Sequence, residues 1–188
     1  MSDTKKELIT AHVKMDEKIF KRFSHWDTFH LRKRWRRPAL FCAIMAAFAI
    51  VCFVLRKEES VLIGSVLLII ALGLPLIWVG FYFSSVRLQA VQLKLEKPRP
   101  VYTIALGDDI RIHNDLKPEP DVTVRWEQVF GIWRDKKATY LYVTAAKGFI
   151  LPDGQYDTDL DALWYLFASH LPKERLHGVA FRKEERKA

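Results

Sequence analysis

Cysteine is scarce in this sequence, which contains only two among 188 residues. Cys42 and Cys52 lie ten residues apart in one apolar segment, so on a helix about 15 Å would separate them. That distance excludes a disulfide bond between the two side chains. We interpret both as small buried hydrophobic residues, and they give no evidence for an oxidising compartment.

Motifs for catalysis or cofactor binding are also missing. The sequence has no Ser-His-Asp order, no glycine-rich phosphate-binding loop and no paired-cysteine motif. His25 and His30 flank Asp27, but their five-residue step is expected to place the rings on different helix faces, because ligands on one face are three or four residues apart. His113 and His170 are isolated and are interpreted as surface or satisfied core groups. We therefore expect no enzyme activity, no metal site and no cofactor.

Charge is absent from two long apolar runs, residues 38–55 and 61–83. A bilayer core about 30 Å thick needs roughly 20 apolar residues of helix. The Leu, Ile, Phe and Val side chains favour insertion by roughly 4 kcal/mol in the first run and roughly 7 kcal/mol in the second. A signal peptide would begin nearer the N-terminus, and a soluble core hairpin would keep a polar face. The runs therefore predict a transmembrane helical hairpin over residues 38–83, turning at residues 56–60.

The hairpin also lacks ionisable groups, which an ion pathway or proton relay would need. Ala39, Ala43 and Ala47 form a small-residue stripe at four-residue spacing, which lets helices approach closely. The stripe fits either a dimer seam, and hence a homo-oligomer, or packing of the two hairpin helices against each other. We favour the packing of the two helices.

Basic residues predict the orientation of the hairpin. Two of them lie in the turn, Arg56 and Lys57. The other basic residues lie at the end of the hairpin opposite the turn, before the first run and after the second. They are Lys21, Arg22, Arg32, Lys33, Arg34, Arg36, Arg37, Arg87, Lys94, Lys97 and Arg99. Because cytoplasmic flanks carry the excess of Lys and Arg, both termini are expected to be cytoplasmic, in a multi-pass protein of the plasma membrane. Trp35, Trp78 and Tyr82 fit an aromatic belt at the cytoplasmic interface.

Residues 1–37 are predicted to form a cytoplasmic strand followed by an amphipathic basic helix. Residues 9–15 alternate apolar and polar side chains, which is the period of a half-buried strand. From Asp16 the apolar residues recur at three- and four-residue steps. A basic stretch then precedes the first run, and we expect it to contact lipid headgroups, the alternative being a solvated face. Its residues are Arg32, Lys33, Arg34, Arg36 and Arg37.

Residues 84–172 are predicted to form a small antiparallel β domain closed by a helix. Period-two alternation over residues 84–96, with one slip at Ala90–Val91, indicates two strand pieces meeting at a bulge. Thr158 or Asp159 can cap the final helix, which Pro172 ends. Residues 173–188 are expected to be a charged tail. Further strands, joined by turn residues, are expected over residues 101–106, 109–113, 121–126, 129–134, 140–144 and 149–151.

Two groups of side chains in this domain are candidate contacts. Five aromatic residues could line a ligand cleft, although we favour their packing in the core of a small barrel: Trp126, Trp133, Tyr140, Tyr142 and Trp164. A predicted hairpin tip carries Arg134, Lys136 and Lys137 beside Asp135. The tip could contact anionic headgroups, at about 1 kcal/mol per basic residue, or it could be a solvated turn.

The segments that carry a family likeness are VRWEQV at 124–129, GIW at 131–133, YLYV at 140–143 and FILP at 149–152. With the two apolar runs before them, they resemble the YcxB-like membrane protein family over about residues 9–171. The resemblance implies a bacterial membrane protein whose cytoplasmic domain is similar to a pleckstrin-homology fold, with no known enzyme activity. Asp153 departs from the pattern, because the family often has a basic residue after the proline.

Together these features predict an α+β membrane protein that acts as a non-enzymatic anchored module. Its pleckstrin-homology-like domain would bind a membrane or cytoplasmic protein or lipid headgroups, with the bilayer as its other partner. The alternative is an accessory or regulatory subunit of a membrane transporter or membrane enzyme. We expect no nucleic acid as a partner, because the positive charge lies against the bilayer.

Overall fold

The computed structural model describes residues 9–55, 57–117 and 119–178. Arg56 of the predicted turn, residues 1–8 of the N-terminal segment and residues 179–188 of the predicted tail lie outside the described residues. The chain has two compact units. We call residues 17–97 the helical unit, and residues 9–16 with 98–178 the β unit.

The helical unit contains three α-helices and one π-helical turn. Helix α1 is Glu17–His25 and continues into the π-helical turn Trp26–Leu31. Helices α2, Arg36–Leu55, and α3, Glu58–Gln92, follow. Both α2 and α3 are long and apolar enough to cross a membrane, and only 6% and 11% of their most apolar stretches are buried. Core helices of a soluble protein would be mostly buried.

Helix α3 extends well beyond the predicted second run. Glu58–Ser60 belong to its first turn, where the acidic side chains of Glu58 and Glu59 favour a helix N-terminus. Residues 84–92 are helical, so the prediction of strand pieces over residues 84–96 is wrong. Val86 and Ala90, both buried, have the four-residue spacing of one helix face. The helix ends where Lys94 adopts a positive φ of 55° and the Leu95 N–H donates to the Ala90 carbonyl at 3.0 Å.

Helices α2 and α3 pack through a different set of small residues from the predicted stripe. A Cβ atom at Gly64 would lie 3.1 Å from the Cys52 Cβ and 3.2 Å from the Ala49 carbonyl oxygen. Ala49 and Ala71 are buried. The favoured prediction, that the stripe packs on the second helix, is wrong because all three of its residues are exposed: Ala39, Ala43 and Ala47.

The β unit contains two four-stranded sheets and a helix. The first sheet has the order β1-β2-β3-β4, and the second β7-β6-β5-β8. Strand β8 pairs with β5 in parallel, and the other pairs are antiparallel. The strands are β1 Ile9–Met15, β2 Arg99–Leu106, β3 Ile110–Asn114, β4 Val122–Val124, β5 Gly131–Arg134, β6 Ala138–Tyr142, β7 Gly148–Pro152 and β8 Leu176–Gly178.

The strands predicted from residue 101 onward are present with shifted ends, and two segments differ in type. Trp126 lies in a 3₁₀ turn, Trp126–Gln128, and not in a strand. Residues 173–178, expected to belong to the charged tail, form the 3₁₀ turn Lys173–Arg175 and β8. Helix α4, Leu160–His170, begins after Asp159, whose carboxylate accepts the Ala162 N–H at 2.7 Å. The cap is therefore Asp159 and not Thr158.

Strand β1 pairs along both of its edges within the β unit. On one edge it runs antiparallel to β2, from Ile9 opposite Leu106 to Met15 opposite Arg99. The N-terminal strand therefore belongs to the same sheet as strands from the C-terminal part of the chain. On the other edge the His12 N–H donates to the carbonyl of Gln155 at 3.0 Å, and residues 10 and 14 bond to residues 155–157. Strand β1 therefore leaves no open sheet edge.

One buried hydroxyl links the two sheets. The Tyr102 hydroxyl on β2 donates to the Ile150 carbonyl and accepts the Ile150 N–H on β7, each at 2.8 Å. Burial raises the pKa of Tyr102, so this hydroxyl stays neutral at ordinary pH.

We expect Tyr102→Phe to lower the free energy of unfolding by about 1–3 kcal/mol, because it leaves a buried backbone N–H and carbonyl without their partner. The measurement is thermal unfolding of the full chain in nanodiscs, followed by tryptophan fluorescence. Tyr165→Phe is the control, since Tyr165 is 79% exposed. Equal stability of the two variants would contradict the prediction.

Candidate functional site

The helical unit contains a half-open groove of about 440 Å³ between α1 with its π-helical turn and the C-terminal part of α3. Its apolar lining residues are Phe20, Phe23, Trp78, Phe81, Tyr82 and Val86. Its polar lining residues are Ser24, Asp27, Thr28, Arg34, Ser85 and Gln89. The groove therefore combines aromatic surface with hydroxyl, amide and guanidinium groups.

The start of α1 is fixed by a backbone hydrogen bond to the turn that follows α3. The Glu17 N–H donates to the carbonyl of Leu95 at 3.0 Å. Further along, Phe29 packs edge-to-face on Trp78, with ring centroids 5.8 Å apart, and on Tyr82 at 5.3 Å. Such aromatic pairs add about 0.5–1.5 kcal/mol to area burial. These contacts place α1 and the π-helical turn along α3, with the groove between them.

The π-helical turn brings together residues five apart in sequence. The Arg32 N–H donates to the Asp27 carbonyl at 2.9 Å, and the Arg32 Nε lies 2.9 Å from one Asp27 carboxylate oxygen and 3.0 Å from the other. An ordinary α-helix would separate these side chains around its axis. The wider turn therefore builds an ion pair that the sequence spacing did not predict.

The same turn corrects the prediction for the two histidines. His25 and His30 lie near one another, with ring centroids 6.1 Å apart, and not on different faces. Each ring is stacked on an aromatic neighbour, His25 on Phe29 at 4.5 Å and His30 on Trp26 at 4.7 Å. Across residues 9–55, 57–117 and 119–178, no three His, Cys, Asp or Glu side chains are placed to hold a metal.

The predicted basic stretch adjoins the groove. Arg32 is engaged with Asp27, and both side chains are largely buried. Lys33 has a positive φ of 48° and ends the π-helical turn, while the exposed Arg34 lines the groove. Arg36 and Arg37 are exposed and begin α2. Arg32 therefore offsets the Asp27 charge, and Arg34 contributes an exposed positive charge to the groove wall.

The basic residues of the predicted hairpin tip, Arg134, Lys136 and Lys137, differ in their surroundings. Arg134 binds Asp153 through two hydrogen bonds of 2.5 and 2.7 Å, and its side chain is only 8% exposed. The hydrogen bond to Asp153 raises the pKa of Arg134. This geometry differs from the expected headgroup contact, because the guanidinium faces a carboxylate of the same unit. Lys136 and Lys137 remain exposed in the turn between β5 and β6.

Most of the candidate cleft aromatics belong to the core. Trp126, Tyr140, Tyr142 and Trp164 are buried, which confirms the core interpretation for these four. Trp133 is half-buried and differs from them. Its ring stacks on His177 at 4.9 Å and on Phe130 at 5.8 Å. Phe130 is 48% exposed, so this part of the β unit has an aromatic surface.

His113 forms a polar cluster on the first sheet. Its Nδ1 lies 2.6 Å from an Asp121 carboxylate oxygen, and its Nε2 lies 3.8 Å from Asp115. The hydrogen bond to Asp121 raises the pKa of His113, with a smaller contribution from the charge of Asp115. The other isolated histidine, His170, stacks on the buried Trp126 at 4.7 Å. Neither arrangement resembles a nucleophile with its base.

The sequence analysis did not predict the α3 side of the groove. Phe81, Ser85 and Gln89 line it at four-residue spacing, but alternation of polar and apolar residues from position 84 onward indicated strands. The spacing of Trp78 and Tyr82, which continues this face of α3, is the signal that could have identified it.

Comparison with known proteins identifies no relative: no family model, no curated protein and no solved structure matches this chain.

We expect replacement of Asp121 by Asn to lower the pKa of His113 toward its ordinary value, because the amide no longer favours the charged ring. The raised pKa means that this ion pair stabilises the fold below the unfolded pKa, and the contribution disappears as pH rises through the folded pKa. The measurement is an NMR titration of the His113 ring in the full chain. Asp109→Asn, in the turn between β2 and β3, is the control and should leave the titration unchanged.

Proposed function

We propose that this protein is a non-enzymatic membrane-anchored module, in which a transmembrane hairpin presents the β unit on the cytoplasmic side for binding a protein or lipid headgroups. The observation that carries the proposal is the bare apolar surface of α2 and α3. Large side chains along both helices are exposed by more than half, among them Leu40, Phe48, Leu62, Ile69 and Leu76. A continuous apolar surface of this kind would be unfavourable in water.

The helix lengths suit a bilayer. Helix α2 has 20 residues, and α3 has 35, so they extend about 30 Å and about 52 Å. The hydrocarbon core is about 30 Å thick. Helix α2 therefore matches the core, and α3 is long enough to cross it and to continue into the headgroup region and beyond. The polar end of α3, which includes Arg87, Gln89 and Gln92, supports this assignment.

The connectivity of the chain supports cytoplasmic placement of both ends of the hairpin. The helical unit is inserted between β1 and β2, which are hydrogen-bonded neighbours in one sheet. Two spans return the chain to the side from which it left, as the pairing of Met15 with Arg99 requires. The excess of basic residues flanking this side favours the cytoplasm.

The strand order supports the resemblance to a pleckstrin-homology fold. An antiparallel meander of β1 to β4 precedes a second meander of β5 to β7, and α4 then follows. Two exposed features of this unit could bind partners. Lys136 and Lys137 lie at the β5–β6 turn and suit anionic headgroups, while the surface of Phe130 and Trp133 suits an apolar protein segment.

We expect alkaline extraction to leave the full chain in the membrane fraction. Single cysteines, introduced after both native cysteines are replaced by alanine, should then report opposite sides. Glu58→Cys should react with a membrane-impermeant maleimide in intact cells, whereas Thr123→Cys should react only after permeabilisation. Release of the protein by alkali, or labelling of both positions from outside, would contradict the proposal.

If the β5–β6 turn contacts headgroups, its amide hydrogens should exchange more slowly in nanodiscs containing anionic lipid than in neutral nanodiscs. Reversing both charges, Lys136→Glu with Lys137→Glu, should abolish the difference, since each basic residue contributes about 1 kcal/mol near an anionic surface. Lys117→Glu with Lys173→Glu applies the same charge change elsewhere and should retain it. Equal amide exchange rates of this turn in anionic and neutral nanodiscs, measured on the unmodified chain, would contradict headgroup contact. Binding of a protein would then be the proposed function of this unit.

A further inference from the structure

We propose that the groove of the helical unit binds one anionic phospholipid, with the headgroup phosphate on Arg34 and the glycerol and upper acyl chain against the aromatic side chains that line the groove. This inference rests on the proposed insertion of α2 and α3 in a bilayer. It concerns a site separate from the basic turn of the β unit, because every residue that lines the groove belongs to the helical unit.

The depth of the groove along α3 favours a lipid. The apolar run of α3 ends at Phe83, and the first basic residue after it is Arg87. Groove residues of α3 extend from Trp78 to Gln89 and so straddle this boundary. Trp and Tyr side chains concentrate at the level of lipid headgroups, as Trp78 and Tyr82 would here. The groove therefore lies where phosphate groups and the first carbons of acyl chains meet.

The two kinds of lining residue, aromatic and polar, fit the two parts of such a lipid. Phe81 is 70% exposed and continues the apolar surface of α3 into the groove, so an acyl chain could lie along it without leaving the hydrocarbon. The hydroxyls of Ser24, Thr28 and Ser85 can donate hydrogen bonds to ester and phosphate oxygens. The volume, about 440 Å³, is within the range of small-molecule sites.

The charges favour an anionic headgroup over a neutral one. The carboxylate of Asp27 is already engaged by Arg32 at 2.9 Å, so its negative charge is offset within the site. Arg34 adds a positive charge at the groove wall, and a guanidinium matches phosphate oxygens with two parallel hydrogen bonds. Exposed Lys33, Arg36 and Arg37 lie within three residues of Arg34 in the sequence and raise the local positive potential.

The test is native mass spectrometry of the full chain released from nanodiscs that contain equal amounts of phosphatidylglycerol and phosphatidylcholine. We expect one retained phosphatidylglycerol per chain. Arg34→Gln should reduce the retention of phosphatidylglycerol about ten-fold or more, because a charge-assisted hydrogen bond to its phosphate is lost. Arg87→Gln removes a positive charge from α3 outside the groove lining and should leave the retention unchanged.

A second variant tests the groove by its shape. Gln89→Trp fills the space without changing charge and should reduce retention of both lipids. Equal retention by Arg34→Gln and Arg87→Gln, or unchanged retention by Gln89→Trp, would overturn the inference. Displacement of the lipid by millimolar inorganic phosphate would also overturn the inference, because the groove would then be a site for a free anion. A dimer that dissociates in the Arg34→Gln variant would overturn it as well, because the groove would then bind a second copy of the chain.

Alkaline extraction of every variant separates this inference from the proposed function. A chain that stays in the membrane but retains no lipid contradicts the groove assignment alone. A chain that alkali releases contradicts membrane insertion, and the lipid site is then excluded with it.

Discussion

The hydrogen bonding of β1 to β2 is the constraint on which the rest of this structure depends. His12 and Thr103, which face each other in the sheet, are 91 residues apart in sequence, and the whole helical unit lies between them. Closing so long a loop costs entropy that the sheet must offset. Under the proposed membrane insertion, the pairing also restricts the helical unit, because an odd number of membrane crossings would separate the two strands. A hairpin of two helices is the smallest membrane anchor that meets this condition.

The features that the sequence predicts well are those set by local composition. Charge-free runs predict α2 and α3, alternation predicts β1, and an aspartate before an apolar helix predicts the cap at Asp159. The errors arise where two patterns compete over a short stretch. Residues 84–92 alternate as a strand would, but they continue a helix that already has more than twenty residues. Elongation of an existing helix is favourable at each step, so the long-range context prevails over the local pattern.

The spacing of residues in the sequence did not predict the candidate groove, for a related reason. It requires the π-helical turn, which changes which residues of the stretch 26–31 face α3, and no simple periodicity signals such a turn. The ion pair between Asp27 and Arg32 and the proximity of His25 and His30 both follow from it. Arg134 illustrates the opposite case. The sequence identifies the residue as a basic side chain near a turn, but its partner Asp153 lies 19 positions away, on a different strand connection.

The double pairing of β1 has a consequence for the synthesis of this protein. Strand β1 leaves the ribosome first, yet its partners are β2 and residues 155–157, the latter more than 140 positions later. Translation at about 5–20 residues per second delays even the nearer partner by on the order of ten seconds. During that interval α2 and α3 are made, so under the proposed insertion the hairpin enters the bilayer while the β unit still lacks a sheet. On that proposal, anchoring precedes folding of the β unit, and the two ends of the hairpin are held on one side of the bilayer before the strands meet.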